Sequence, residues 1–231
     1  MTGLWPENHS FEAFRRAFPI TDENLYQELF FYFRDRVQVK REEPAIRNLE
    51  KIFKATFKLT SKKGFHAMSL RDLSQETQIS MGGLYKYIKG KDDLAYMIEE
   101  FASHCLIDHN EVFLAQAKSD EEKRDLLIRT FTYIIELFQP WFFFMFMEAK
   151  NMSAENKTKA KEVERRSVRI IMGILEPFHT KNKVDSNLVL TASTLLATIE
   201  SRYLKHWFYK ENGTNIDAYA EHCVALAKKL L

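Results

Sequence analysis

The sequence predicts an all-α fold in which a small basic helical module sits between a helical extension and a larger helical remainder. Three observations predict it. The chain has 231 residues, 45% hydrophobic and 29% charged, enough for one to two domains with a real core and too apolar for disorder. Only 7 Gly and 5 Pro punctuate it, so few tight turns are available and long helices are favoured over many short strands. Charge is the third. The net is +2, yet residues 45–91 carry ten basic side chains against three acidic ones, +7, which leaves the rest at −5. A positive segment inside an otherwise negative chain points to a polyanion-binding module, with a solvated basic helix face as the plainer alternative.

Several classes are excluded. Cys105 and Cys223 lie too far apart to read as a disulfide framework and suit a reducing cytosol. Glu7 and Glu12 interrupt the stretch where a secretion signal would need apolar residues. The longest apolar run, Trp141 to Met147, is far below the ~20 residues that span a bilayer. The expectation is a cytoplasmic protein with no membrane partner.

The elements follow in order. In the extension, residues 1–44, a short helix is expected around Phe11, Phe14 and Phe18. Leu25, Leu29, Phe33 and Val37 then recur every four residues and predict a helix from about Asp22 to Lys40, capped by Thr21 or Asp22. After Pro44, the stripe Ile46, Leu49, Ile52, Phe53, Phe57 and Leu59 predicts a helix that stops at Lys63-Gly64. Ser69 caps a short helix carrying Leu70 and Leu73. Thr77 to Ser80 form a tight turn into a second short helix from Met81, and Gly90 ends the segment. Three helices with a tight turn between the last two make a helix-turn-helix unit over residues 45–91. Further helices are expected at about Lys91–Lys118, Asp120–Gln139, Trp141–Asn151, Glu155–Phe178, Asp185–Lys210 and Asn215–Leu230.

From Gly64-Phe65-His66-Ala67-Met68-Ser69-Leu70-Arg71-Asp72-Leu73 through Ile79-Ser80-Met81-Gly82-Gly83-Leu84-Tyr85-Lys86-Tyr87-Ile88 to Lys89-Gly90-Lys91-Asp92-Asp93-Leu94, the chain resembles the tetracycline-repressor (TetR) family. The Gly-x-Leu-Tyr and Lys-Asp-Asp-Leu spacing carries the resemblance, over roughly fifty continuous residues. It implies an N-terminal DNA-binding domain, residues 45–91, followed by a larger helical ligand-binding and dimerisation domain, residues 92–231. The extension of 44 residues is longer than most members carry. Thr77-Gln78 stand where the family has Ala-Gly, Ser74 where it has Ala, Gly83 where it has Thr and Ile88 where it has Phe.

The resemblance implies that the second short helix enters the major groove. Ser69, Arg71, Ser80, Met81, Gly82, Gly83, Tyr85, Lys86, Tyr87 and Lys91 are the expected DNA-binding residues. Ser80, Met81 and Lys86 would read bases, Gly82 and Gly83 would let the backbone approach, and Tyr85, Tyr87 and Lys91 would meet phosphates. The run Trp141–Met147 is apolar all round, so part of it either packs or lines a cavity. By resemblance this region and the long helix after Leu94 enclose a pocket, with Phe101, His104, Cys105, Phe131, Phe142, Met145 and Arg169 as its candidates. An apolar or amphipathic ligand such as a fatty acyl or aromatic compound would fit. The stripes Leu188, Ala192, Leu195, Ile199, Tyr203, Trp207 and Ile216, Tyr219, Ala220, Cys223, Val224, Ala227, Leu230 would pair across a two-fold axis in a homodimer.

Nothing argues for an enzyme. His104/Asp108 and Cys105/His109 are i,i+4 pairs about 100° apart on one helix, too divergent to converge on a metal. No cofactor or metal is called for. The expected function is a DNA-binding regulator, usually a repressor, released from its operator by a small ligand. The alternative is a helix-turn-helix regulator without one, controlled by a protein partner or by expression.

Overall fold

A computed structural model describes residues 8–182 and 187–231. In chain order the helices are α1 (Phe11–Ala17), α2 (Leu25–Tyr32), α3 (Glu42–Lys63), α4 (Leu70–Thr77), α5 (Met81–Leu84), α6 (Lys91–Ile107) and α7 (Asn110–Leu114). They continue as α8 (Asp120–Leu137), α9 (Gln139–Glu148), α10 (Ala154–Asn182), α11 (Leu188–Leu204), α12 (His206–Glu211) and α13 (Ile216–Lys229). No strand occurs among the described residues. The expected helix starting at Asp185 begins outside them.

The chain forms two compact units that do not follow the sequence segments. The head unit comprises residues 20–102 and 140–160. The bundle unit comprises the described residues up to Pro19, residues 103–139, and the described residues from 161 onward.

In the head unit α3 supplies the spine. Leu49, Ile52 and Phe53 are fully buried on the face that the 3.6-residue period aligns. Burial of each such side chain contributes about 1.5–3 kcal/mol. Gly64, at φ 78°, ends α3 in the left-handed region that glycine takes without a Cβ clash. Most of the aromatic run of α9 packs inside the head unit, while Phe146 and Met147 at its end are exposed. Trp141 stacks on Phe53 at 5.1 Å between ring centroids and meets Phe101 at 5.6 Å, while Phe144 meets Phe65 edge-on at 5.0 Å.

The extension is divided between the units. Phe14 of α1 is fully buried in the bundle unit, 5.5 Å from Tyr133 of α8. The second expected helix, Asp22 to Lys40, is shorter than its periodicity suggested. α2 stops at Tyr32, although Phe33 and Val37 on the same stripe are still buried at 3% and 5% exposure. Beyond Tyr32 the chain continues as local turns, with Arg34 N–H donating to the Phe31 carbonyl and Arg36 and Val37 N–H to the Phe33 carbonyl, until Gln38 N–H donates to the Lys86 carbonyl at 2.8 Å and leaves the helical direction.

The bundle unit surrounds α8, whose Leu127, Phe131, Tyr133 and Ile134 are at most 1% exposed. Two expected helices are each broken in two. Asp108, between α6 and α7, accepts from His104 (2.9 Å) and from Arg166 (3.2 Å). Lys205, between α11 and α12, sits at φ −117° and ψ 33°. The C-terminal stripes need correction. Ala192, Leu195 and Ile199 of α11 and Ala220, Cys223 and Ala227 of α13 are 0% exposed inside the protomer. α8 packs on both helices and covers these residues, whereas Trp207 of the first stripe is left outward. With Val189, Leu190 and Phe208 it makes the outward apolar set of the C-terminal helices, between 45% and 66% exposed.

Candidate nucleic-acid interface

The turn between α4 and α5 is held by hydroxyls. Ser69 Oγ accepts from the Asp72 N–H (3.1 Å) while the Asp72 carboxylate accepts from the Ser69 N–H (2.7 Å), a reciprocal cap on α4. Ser74 Oγ donates to the Ile79 carbonyl at 2.6 Å, and Thr77 Oγ1 donates to Leu73 and accepts from the Ile79 N–H. Ser74 and Thr77 thus give the turn bonds that alanines could not make. Gln78 takes φ 58°, ψ 27°, the lone positive-φ non-glycine among the described residues. Ser80 Oγ accepts from the Gly83 N–H (3.1 Å) to start α5. A Cβ on Gly83 would lie 2.8 Å from Ile79 Cγ2, so any side chain there would force Ile79 to shift. Gly82 meets nothing within 4 Å.

Of the ten expected DNA-binding residues, Ser69, Arg71, Ser80, Gly82, Tyr85 and Lys86 are exposed, Tyr85 by 50%. Met81 and Gly83 are half-buried. Tyr87 is 4% exposed and its hydroxyl accepts from Asn48 Nδ2 at 2.9 Å, so it belongs to the core of the head. Lys91 is also engaged inside. Its Nζ donates to the His66 carbonyl (2.9 Å) and lies 4.9 Å above the Phe65 ring, and burial lowers its pKa.

Pairing decides which charges of the module remain available. Its three carboxylates are all engaged in internal pairs: Glu50 with Lys54, Glu76 with Lys58, and Asp72 with Lys63 at 2.7 Å. Hydrogen bonds from Lys63 and Ser69 hold the Asp72 carboxyl well below the usual range, and Lys58 lowers Glu76 in the same way. Lys51, Lys62, Arg71, Lys86 and Lys89 make no ion pair among the described residues. Three of these, Lys51, Lys62 and Lys89, were not singled out from the sequence. Two of the pairs that expose them by elimination, Lys58–Glu76 and Lys63–Asp72, join α3 to α4 and carry no local spacing signal.

The ligand candidates are not gathered at one place. Phe101 and Phe142 are packed in the head unit. Cys105 and Phe131 are fully buried in the bundle unit, His104 bonds Asp108, and Arg169 pairs with Glu162 at 2.5 Å. Met145 is half-buried. The bundle unit carries a cleft of about 640 Å³ between Ile107, Asn110, Leu114, Lys123, Arg166 and Ile170, and none of the seven lines it. Its walls are apolar and its rim is charged. Asn110, 2% exposed, donates from Nδ2 to the Leu106 carbonyl, and its Oδ1 has no partner among the described residues.

A basic three-helix head with a capped tight turn before an exposed helix is the architecture of a helix-turn-helix DNA-binding regulator. Residues 52–96 match the family model described as bacterial regulatory proteins, tetR family. An uncharacterized HTH-type transcriptional regulator of Haemophilus influenzae is 32% identical over 71 residues, a match spanning 31% of this chain and 34% of that relative. Among solved structures, a TetR family transcriptional regulator PfmR from Thermus thermophilus superposes with a TM-score of 0.63 at 22% identity, over 78% of this chain and 96% of that one. A transcriptional regulator FadR from Bacillus subtilis, in complex with stearoyl-CoA, does so with a TM-score of 0.61 at 17% identity, over 79% and 98%. The segment 52–96 therefore carries the signature of the tetR family of bacterial regulatory proteins, and the whole chain shares the fold of such regulators. Among the described residues no helix is long and apolar enough to cross a membrane.

Proposed function

We propose that the chain is a homodimeric, cytoplasmic repressor that reads double-stranded operator DNA with α5 and is released by an apolar or amphipathic small ligand. The observation that carries the DNA reading is the exposed set Ser80, Gly82, Tyr85 and Lys86 on one short element, with Arg71 unpaired on α4. Gly82 permits close backbone approach, Lys86 can reach a base or a phosphate, and the Tyr85 hydroxyl can donate to a phosphate oxygen. The two reading heads of a dimer would address successive major grooves about 34 Å apart. The outward Val189, Leu190, Trp207 and Phe208 support a symmetric interface built on α11 and α12. Replacing Leu190 and Trp207 by Glu should leave a folded chain that elutes as a monomer.

The cleft beside Asn110 is large enough for a drug-sized molecule and supports the ligand half of the reading. The structure of FadR with stearoyl-CoA shows a chain of this fold carrying an acyl thioester, and a related amphiphile is the class to test first. The packed aromatic run of α9 favours a second reading, a regulator without a small ligand. Enrichment of duplexes from a random pool tests the DNA reading. Mass spectrometry of small molecules carried through native purification separates the two regulatory readings.

A further inference from the structure

We infer that residues 33–41 are a splint for the reading head, with Arg36 and the main chain of Gln38 as positioning groups for DNA recognition. This rests on the assignment of α5 as the reading helix. The only covalent link between α5 and α6 is the short segment from Tyr85 to Gly90, and any change in the angle of α5 against α6 must be absorbed there. The strap is bonded on both sides of that joint. Before it, Gln38 N–H donates to the Lys86 carbonyl at 2.8 Å. After it, the Arg36 guanidinium pairs with Asp93 in the first turn of α6 and lies 4.6 Å above the Tyr96 ring.

Asp93 is the hub of the arrangement. One carboxylate oxygen takes Arg36 and the other accepts from the Lys89 N–H at 2.8 Å, inside the joint itself. A residue from the extension therefore fixes the group that closes the loop behind the reading helix. The strap is in turn fixed to its surroundings. Phe33 and Val37 are buried, and Arg34 lies over the Phe30 ring and donates to the Val39 and Lys40 carbonyls. Arg34 and Arg36 are thus engaged in protein contacts rather than held out for phosphates. A head already held in one geometry is spared the ordering cost that the operator, where the angle matters, would otherwise impose, and is spared little on random DNA, where it does not.

Hydrogen exchange on the free full-length protein tests the splint without DNA. Arg36→Ala and Gln38→Pro, which lacks the N–H, should speed exchange of the amides of residues 86–90 while leaving the middle of α3 unchanged. Arg36→Lys keeps the charge for Asp93 and should recover part of the protection, and Gln38→Ala should resemble wild type. On DNA, with the duplex enriched by the wild-type protein set against the random pool, Arg36→Ala should lose about tenfold on the enriched duplex and nothing on the pool, at unchanged salt slope. Unaltered exchange at 86–90 in both variants would overturn the inference. So would an equal loss on both DNAs with a shallower salt slope, which would make Arg36 a phosphate ligand. If the wild type prefers no duplex, the DNA reading fails and the exchange result alone decides the splint. Should Gln38→Pro not fold, the Arg36 pair of variants carries the test.

Discussion

In the bundle unit Arg202 is 5% exposed, with its guanidinium forked onto Glu136 at 2.8 and 3.0 Å and a third bond to the Thr214 carbonyl. Arg129, 8% exposed, is forked onto Glu221 in the same way. In the head unit Lys51, Lys62, Arg71, Lys86 and Lys89 stand at the surface without an ion-pair partner among the described residues. Even α10, with its three arginines, pairs Arg165 and Arg169 with Glu162 and Arg166 with Asp108. Similar numbers of cations thus do different things, and what separates them is whether a carboxylate lies within reach. Guanidinium forks suit buried clamps, whereas mobile ammonium groups suit a polyanion that arrives later.

The comparison breaks most visibly at Arg202. Arg202→Met leaves the half-buried Glu136 with only His206 nearby, at 3.8 Å, and should cost about 3 kcal/mol in a urea titration. The double change Arg202→Met/Glu136→Leu removes both charges and should recover most of that loss. A single-variant cost below about 1 kcal/mol would mean that the clamp is ornamental.

Glu99 is the exception that sharpens the contrast, a carboxylate inside the head unit at 2% exposure with neither oxygen hydrogen-bonded among the described residues. Burial pushes its pKa up to about 7, Lys159 offsets this in part, and Glu100 adds to it. The folded state therefore holds a proton that the unfolded state has released between about pH 4.5 and 7, and stability falls as pH rises through that window. Glu99→Gln should be more stable than wild type at pH 8, by up to about 3 kcal/mol, and equal to it below the unfolded pKa. A pH-independent difference between the two would show that the effect is one of packing.

A smaller effect is expected at the surface cations. Arg71→Ala with Lys86→Ala should lower the salt slope of DNA binding by about two, because each phosphate contact releases close to one counterion. Lys91→Met should change the slope by far less than one, since its ammonium is already held by the His66 carbonyl and the Phe65 ring. A full unit lost on Lys91→Met would show that the lysine leaves these partners for DNA.

What the sequence discloses follows from how local each cause is. The caps Ser69 and Ser80, the Gly64 stop and the tight turn were legible because their partners lie within three or four residues. The course of residues 36–38 after α2 was not, because their partners Lys86 and Asp93 lie some fifty residues away. The C-terminal stripes were legible as apolar faces but not as to partner. Periodicity says that Ala220 and Cys223 must be covered, and only the packing of α13 on α8 says that the protomer covers them itself. The free cations of the head were hidden for the same reason, since removing Lys58 and Lys63 from the count requires knowing that they meet Glu76 and Asp72.

The smallest expected effect concerns Gln78, which holds a left-handed backbone at a turn where glycine is absent. An L-residue in this region costs roughly 1–2 kcal/mol relative to a right-handed one, and glycine pays none of it. Gln78→Gly gives back part of the gain. It adds freedom to the unfolded chain, at about 0.5–1 kcal/mol, and it removes the exposed bond from Gln78 Nε2 to the Gln75 carbonyl at 2.6 Å. The net should be a stabilisation of about 0.5 kcal/mol, read as a higher denaturation midpoint with an unchanged slope. Gln78→Val tests the same cause with the opposite sign, because a β-branched side chain tolerates positive φ least, and it should lose about 1 kcal/mol or more. If glycine and valine shift the midpoint the same way, backbone strain is not what sets stability at this turn. The hydroxyl bonds of Ser74 and Thr77 would then hold the turn, and removing either should cost more than either change at Gln78.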